Sequence, residues 1–491
     1  MNPLDSIHNQ TILVQSSYHP TPHLETEMEI IERLLENNNT IYWLICKKDF
    51  KVCFNNPTSD KWICNVCISR VQNGVKEVFK NIKNKEKLIL KEYKDYIDFE
   101  DYIAKQTLQY NFATIQDLKK YTYQGYDLGM ATASSLVSYT RDHEPKLESY
   151  TDFIKKGIQT GAYLFETFDK IIKDINPNLV IFFNGRFIEN RPLLRVCQQN
   201  NMNYVTHERG GKLNTFLFRE NSIPHSIETV SKEMEYLWEQ ATDEKNIIGE
   251  QFYKNRIKRV EEAWYSFTKE QKEGSLPESF KNNDGKKVIT IFNSSLDEYE
   301  GLEGFGPYFY ENDNIGIKQI AESLSNRDDI KLYLRIHPNL KGLKNAQNKF
   351  IEEEIKTLST IEIIGAEDSV DTYALINQSD IIIVFGSTVG AEAAYAGKNV
   401  ILLGKAAYEN LNCFYIPKNH EEVIQAIVNP NFEFSKINTE APLKYGYWNE
   451  NFGIRYQIYE PINIGKGKYN GKIIKANIIV RKLKRFFQKF K

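Results

Sequence analysis

Short apolar runs alternate with stretches of helical periodicity along most of the chain, the pattern of parallel α/β architecture. Residues 11–14 and 41–45 read as strands, with a helix over 25–35 between them. A long, mostly helical and polar region follows, through residues 80–173. The uninterrupted run Leu179-Val180-Ile181-Phe182-Phe183 predicts a strand buried on both faces. A helix over 189–199 and a strand over 204–206 come next. Charged helices fill 233–281 and end in Asn282-Asn283-Asp284-Gly285, a turn-forming cluster that predicts a linker. A second alternating series starts at once, with strands over 288–292, 331–336, 361–364, 381–385 and 400–403. Helices over 315–325 and 352–358 fit between them.

Two such series joined by one linker predict an α/β protein of two Rossmann-like lobes facing a cleft. The expected divisions are residues 1–281, a first lobe with a helical insertion; 286–455, a second lobe; and 456–491, a basic amphipathic tail. The length of 491 residues agrees, since one hydrophobic core rarely serves so long a chain. A net charge of −2 argues against a nucleic-acid binder with a basic surface throughout. The start, Met1-Asn2-Pro3-Leu4-Asp5, has no basic segment leading into an apolar run, and no stretch reaches the roughly 20 apolar residues a membrane span needs. A cytoplasmic protein is expected, peripheral on the inner face of the plasma membrane if its tail docks there.

In open α/β sheets, ligands bind beyond the carboxyl ends of the strands, so the residues after each strand carry the chemistry. In the second lobe these are small and polar: Asn293-Ser294-Ser295-Leu296-Asp297-Glu298, His337-Pro338 and Gly386-Ser387-Thr388-Val389-Gly390-Ala391-Glu392. Gly386 permits close backbone approach, while Ser387 and Thr388 offer hydroxyls that either cap the next helix or meet a phosphate. His337, fixed by Pro338, is a second candidate phosphate ligand. Asp297 and Glu298 are candidate ribose ligands or a base, or merely charges at a helix start.

Arg335-Ile336-His337-Pro338, then Phe385 through Ala393, Ala396-Gly397-Lys398 and Leu403-Gly404, resembles the capsule polysaccharide biosynthesis glycosyltransferases. These are GT-B enzymes related to bacterial Kdo- and sialyltransferase groups. The resemblance covers about residues 287–405. It implies that the His337-Pro338 pair, Ser387 and Thr388 hold the phosphate of a sugar nucleotide, leaning to a CMP-sugar, while Ser294 and Ser295 are substrate-binding candidates by their place after the first strand of this lobe. Glu392 is then a structural or ribose contact. The implied acceptor is a lipid-linked or polysaccharide chain, and no cofactor is required for the chemistry. Two further readings are a CDP-polyol phosphotransferase of teichoic-acid type and a non-catalytic scaffold of polysaccharide assembly.

Glycosyl transfer needs a base for the attacking hydroxyl and positive groups for the departing phosphate. The first lobe offers His207 or Glu208 as base, and Arg186 or Arg209 to meet negative charge. The loop over 16–25 adds His19, His23 and Glu25. Ion pairing within the protein is the plainer role for each. Cys46, Cys53, Cys64 and Cys67 are either reduced, partly buried thiols or ligands of a structural zinc, the last two being spaced as a half-site. Cys197 and Cys413 read as core residues.

From Lys472 to Lys491 there are eight Lys/Arg and no Asp or Glu. Ile479, Leu483, Phe486, Phe487 and Phe490 recur at helical spacing. A basic amphipathic helix either docks on an anionic membrane surface or packs back on the first lobe.

Overall fold

A computed structural model describes residues 3–17, 19–260, 268–282, 285–434 and 440–488. The chain divides into two compact units: unit 1 holds residues 1–140, 145–224 and 452–491, and unit 2 holds 141–144 and 225–451.

Unit 1 is built on strands β1 (Thr11–Ser16), β2 (Thr40–Ile45), β3 (Leu88–Lys91), β4 (Leu179–Phe183), β5 (Tyr204–Arg209) and β6 (Thr215–Glu220). The first five run parallel, β6 pairs antiparallel to β5, and Ile454–Arg455 adds a further antiparallel strand beyond β6. The parallel order β5-β4-β1-β2-β3 reverses direction between β1 and β4. That reversal opens the crevice where open α/β sheets take their ligands. Alternation along β1 feeds two cores. Ile12 and Val14 pack with Leu24, Met28 and Ile31 of helix α1 (His23–Glu36), whereas Leu13 packs with Tyr163, Leu164 and Phe168 of helix α3 (Thr151–Ile175).

The polar side of α1 is buried as well. Glu25, Glu27 and Glu29 are all 1 % exposed or less. Buried carboxylates need partners, and each of these ties down another segment. Glu25 pairs with Arg70 of helix α2 (Lys61–Asn81), and Glu27 takes the Ser16 hydroxyl and His207. Glu29 accepts the backbone N–H groups of Gln457 (2.6 Å), Ile458 (3.1 Å) and Tyr459 (2.9 Å).

Unit 2 is an all-parallel five-stranded sheet among the described residues: β7 (Lys287–Phe292), β8 (Ile330–Arg335), β9 (Ile361–Ile364), β10 (Ile381–Val384) and β11 (Asn399–Leu402), in the order β11-β10-β7-β8-β9. The direction reverses between β7 and β10, which places a second crevice there. Ile289, Ile291, Leu332, Leu334, Ile381 and Ile383 fill its core. Two Rossmann-like α/β units, the expected fold class, are thus present.

The divisions along the chain differ from those expected. The described residues of 225–281 fall in unit 2, not in unit 1. The cause is helix α4 (Lys245–Ile257), which lies against helix α6 (Glu440–Asn451). A Cβ on Gly446 would meet the Gly249 carbonyl oxygen at 2.2 Å, so only glycine allows this approach. Tyr253 stacks on Tyr395 of helix α5 (Val389–Tyr395) at 4.2 Å and donates to the Pro442 carbonyl at 2.6 Å. Residues 452–491 return to unit 1, held by Glu29. They carry the hairpin Tyr459–Asn463 and Lys466–Tyr469, then helix α7 (Ile478–Gln488). The expected linker partly lies outside the described residues, at Asn283 and Asp284.

Candidate functional site

The loops after β7, β8 and β10 lie side by side at the carboxyl edge of the unit 2 sheet, around the reversal point. The middle loop ties the outer two together. Asn293 Oδ1 accepts the His337 backbone N–H at 2.8 Å, and Ser294 Oγ donates to the Phe385 carbonyl at 3.3 Å. Ser294 also donates its N–H to the buried Asp313 at 3.0 Å, and Ser295 Oγ donates to Asp297 at 2.5 Å. These two hydroxyls, expected to meet ligand, are committed to the frame of the site.

Pro338 opens a short 3-10 turn, Pro338–Leu340, and sets His337 at its cap. The Asn339 N–H donates to His337 Nδ1 at 3.2 Å. Burial lowers His337 to about 4, against the pull of Asp297, so the ring is neutral near pH 7. With Nδ1 accepting, the single ring proton sits on Nε2. His337 therefore offers a hydrogen-bond donor rather than a cation.

The positive charge comes from elsewhere. Arg256 at the end of α4 pairs with Glu392 at 3.0 Å and donates to the Thr388 hydroxyl at 3.1 Å. Glu392 is 5 % exposed and Arg256 39 %, so a buried carboxylate holds a half-exposed guanidinium beside the Ser/Thr loop. This pairing gives Glu392 a structural contact. Arg141 likewise donates to Asp297 at 2.5 Å and to the Asn339 carbonyl at 3.3 Å. Ser387 Oγ accepts the Val389 N–H at 3.4 Å, and Tyr408 donates to the Ser387 carbonyl. Gly386 has φ +107°, and a Cβ there would sit 2.7 Å from the Lys405 carbonyl oxygen, so no other residue fits.

In unit 1, polar groups gather at the carboxyl ends of β1, β4 and β5. His207 is fully enclosed and bonded to Glu27 at 3.2 Å. Glu27 also takes the Ser16 hydroxyl, which accepts Trp43 Nε1 at 2.7 Å. His207 thus belongs to a buried brace and is withdrawn as a base. Glu208 is different: it accepts Asn184 Nδ2 at 2.9 Å and the Arg209 N–H at 3.0 Å, with His23 Nε2 at 3.7 Å. Burial raises its carboxyl above the ordinary range, against those two hydrogen bonds. Arg186 lies over the Phe187 ring at 4.5 Å and donates to Ser138 at 3.2 Å. Arg209 donates to the Thr21 carbonyl at 3.1 Å. Glu189, in the same unit, was not singled out by the sequence. It is wholly buried, with Oε2 accepting the Phe54 N–H at 3.1 Å and Oε1 unpartnered, and burial lifts it to about 7.

Cys46, Cys53, Cys64 and Cys67 line one pocket together with Phe50 and Ile68. Among the described residues, no group of three or more His, Cys, Asp or Glu is placed to hold a metal ion. Burial raises the thiols of Cys46, Cys53 and Cys67, the last to about 12. The Asn56 and Asn55 amides donate to the sulfurs of Cys64 (3.1 Å) and Cys67 (3.8 Å). Among the described residues all four are free thiols. Cys197 and Cys413 are buried core residues as expected.

Arg256 and Arg141 were missed because both stand in polar stretches without a motif. Arg256 had only its position at a helix C-terminus to mark it.

Residues 308–411 match the family model described as "Capsule polysaccharide biosynthesis protein". That segment contains the His337-Pro338 and Gly386–Glu392 loops, so the resemblance read from the motifs is borne out there. No curated protein sequence matches the chain. Among solved structures, the β-Kdo 2,4-transferase of Thermosulfurimonas dismutans KpsC aligns at 13 % identity and TM-score 0.35, over 62 % of this chain and 87 % of that one. A UDP-N-acetylglucosamine 2-epimerase from Listeria monocytogenes, described as putative, aligns at 11 % identity and TM-score 0.27, over 98 % and 97 %. S. aureus MnaA with UDP aligns at 10 % identity and TM-score 0.29, over 90 % and 94 %. Values of this size say nothing about substrate.

Proposed function

We propose that this chain, whose residues 308–411 match the capsule polysaccharide biosynthesis family, is a glycosyltransferase that moves a sugar from a nucleotide-sugar to a growing surface polysaccharide. The observation that carries the reading is the unit 2 crevice. There a neutral His337 donor and the Ser387-Thr388 loop are joined through Asn293 and Ser294, with Arg256 supplying charge.

The acceptor hydroxyl attacks the anomeric carbon, the bond from that carbon to the phosphate oxygen breaks, and the nucleotide leaves with the electron pair. His337 Nε2–H and Arg256 suit the oxygens of that leaving phosphate, one by a hydrogen bond and the other by charge. Glu208 is the group we assign to receive the hydroxyl proton, because a carboxyl raised by burial is a better base near neutral pH. The donor preference for a CMP-sugar rests on the sequence resemblance.

Calorimetric titration and thermal shifts with CMP, CDP, UDP and GDP test the reading. The expected result is selective stabilisation by CMP, lost in His337→Ala and Ser387→Ala whose far-ultraviolet circular dichroism is unchanged. Selective stabilisation by another nucleotide would keep the site and replace the donor. No stabilisation by any of the four would overturn the assignment. Transfer assays with labelled sugar and labelled polyol separate the phosphotransferase reading.

A further inference from the structure

Helix α7 turns its apolar residues outward. Ile478, Ile479 and Leu483 are 58 %, 64 % and 39 % exposed, and Lys482 and Arg485 are exposed beside them. At 100° per residue these five positions fall on one half of the helix. Val480, Arg481 and Lys484 fall on the other half and are partly covered. A helix that merely packed on its own protein would bury the apolar half and expose the charged one. Here three large aliphatic side chains and two cations share the exposed half.

The orientation is fixed by backbone anchors to α2. Asn477 N–H donates to Ser69 Oγ at 2.8 Å, Asn73 Nδ2 to the Lys475 carbonyl at 2.8 Å, and Arg70 Nε to the Ile474 carbonyl at 3.1 Å. Further back, Lys472 pairs with Glu77 at 2.7 Å. The segment entering α7 is therefore docked, and the helix presents one defined face.

We infer that the outward face of α7 docks unit 1 on an anionic lipid surface. Ile478, Ile479 and Leu483 enter the headgroup–acyl boundary while Lys482 and Arg485 meet lipid phosphates. Charge complementarity selects this occupant. The chain as a whole carries −2, yet residues 472–491 carry no carboxylate side chain, so this face seeks a negative partner. A lipid boundary matches a narrow apolar stripe flanked by cations. No helix among the described residues is long and apolar enough to cross a membrane, so the contact is peripheral. The inference stands apart from the donor assignment: a protein that bound no nucleotide would still show it.

Co-sedimentation of the full chain with vesicles tests it, comparing phosphatidylcholine alone with phosphatidylcholine containing phosphatidylglycerol. Binding is expected to the mixed vesicles and not to the neutral ones. Lys482→Gln/Arg485→Gln removes two cations, each worth roughly 1 kcal/mol at such a surface, and weakens binding by about 30-fold. Ile479→Ser/Leu483→Ser weakens it by about tenfold or more, at unchanged melting temperature since both side chains are exposed. Wild-type chain that stays in the supernatant with mixed vesicles would overturn the inference. So would serine variants that sediment like wild type, since binding would then be charge adsorption alone. A dimer in wild type that Ile479→Ser/Leu483→Ser dissociates, without vesicle binding, would reassign the face to a second copy of the chain.

Discussion

Asn293 and His337 stand 44 positions apart, yet the Asn293 side-chain oxygen holds the His337 backbone N–H at 2.8 Å. That bond sets the His-Pro loop against the loop after β7 at the point where the unit 2 sheet reverses. Asn293→Ala leaves a part-buried N–H without its partner, a loss of about 1–3 kcal/mol. The expected outcome is a lower melting temperature together with weaker CMP binding. Asn293→Asp retains an acceptor and is expected to recover most of both. Equal CMP affinity in Asn293→Ala and wild type would show that the loop holds itself.

Arg256 carries the second prediction. If it meets the leaving phosphate, Arg256→Ala removes a charged hydrogen bond worth about 1.5–3 kcal/mol, so nucleotide affinity falls by about tenfold to a hundredfold. Arg256→Lys keeps the charge but loses the fork that spans Glu392 and Thr388, and is expected to recover only part. Titration of CMP against cytidine separates phosphate from base. Both variants should bind cytidine like wild type, and a matched loss for cytidine would refute a phosphate contact.

The strands of both units were legible because continuous Ile/Val/Leu/Phe runs have few alternatives to a buried strand. His337 and the Ser387-Thr388 loop were legible because such runs end at them. Arg256 was not, since its role comes from α4 packing on α6 through Gly249 and Gly446, two residues nearly 200 positions apart. Nothing local marks the alternating acids of α1 as buried, yet the structure covers them with Arg70, His207 and the returning chain. The same cause hid the domain division: nothing local says that residues 457–459 bind Glu29. His207 and Glu208 looked equivalent as neighbours in one motif, and their partners separate them: His207 is bonded to the enclosed Glu27, whereas Glu208 accepts from Asn184.

Glu29 is the anchor of that return. Glu29→Ala strands three backbone N–H groups and removes one of two carboxylates beside the Arg33 guanidinium, that at 3.7 Å, leaving Asp5 at 3.3 Å. Loss of a buried, multiply bonded carboxylate costs about 3 kcal/mol or more. Hydrogen exchange should show residues 454–477 losing protection first, while the unit 2 sheet keeps its own. Uniform loss over both units would refute a local anchor.

Glu189 gives the stability a pH dependence of known sign. Its folded carboxyl titrates at about 7 against an ordinary value of 4.5. The folded chain therefore holds the proton more tightly, and the stability this contributes is complete below about 4.5 and lost as pH rises through about 7. Glu189→Gln has no such group. The variant's melting temperature relative to wild type should rise between pH 4.5 and 7 and level off above. Buried histidines such as His19, lowered by burial to about 3, titrate equally in both proteins and cancel in the difference. A difference that is flat across that range would show that Glu189 titrates normally.

Glu208 and His207 allow the assignment of the base to be tested against its neighbour. Glu208→Gln keeps the shape and the amide contact to Asn184 but cannot take a proton. If Glu208 receives the acceptor proton, kcat falls by about 10² to 10⁴, the range general base catalysis supplies, while CMP affinity stays at the wild-type value. His207→Gln acts differently, because its imidazole braces Glu27 inside unit 1. There the expected result is a lower melting temperature, with kcat per folded molecule close to wild type. The pH profile adds an independent reading. Burial raises Glu208, so the acidic limb of wild-type kcat/KM should lie above the ordinary carboxylate range, and it should vanish in Glu208→Gln. A Glu208→Gln enzyme that keeps full kcat with an unchanged acidic limb would move the base to another group, and His207→Gln with normal stability but no turnover would name it.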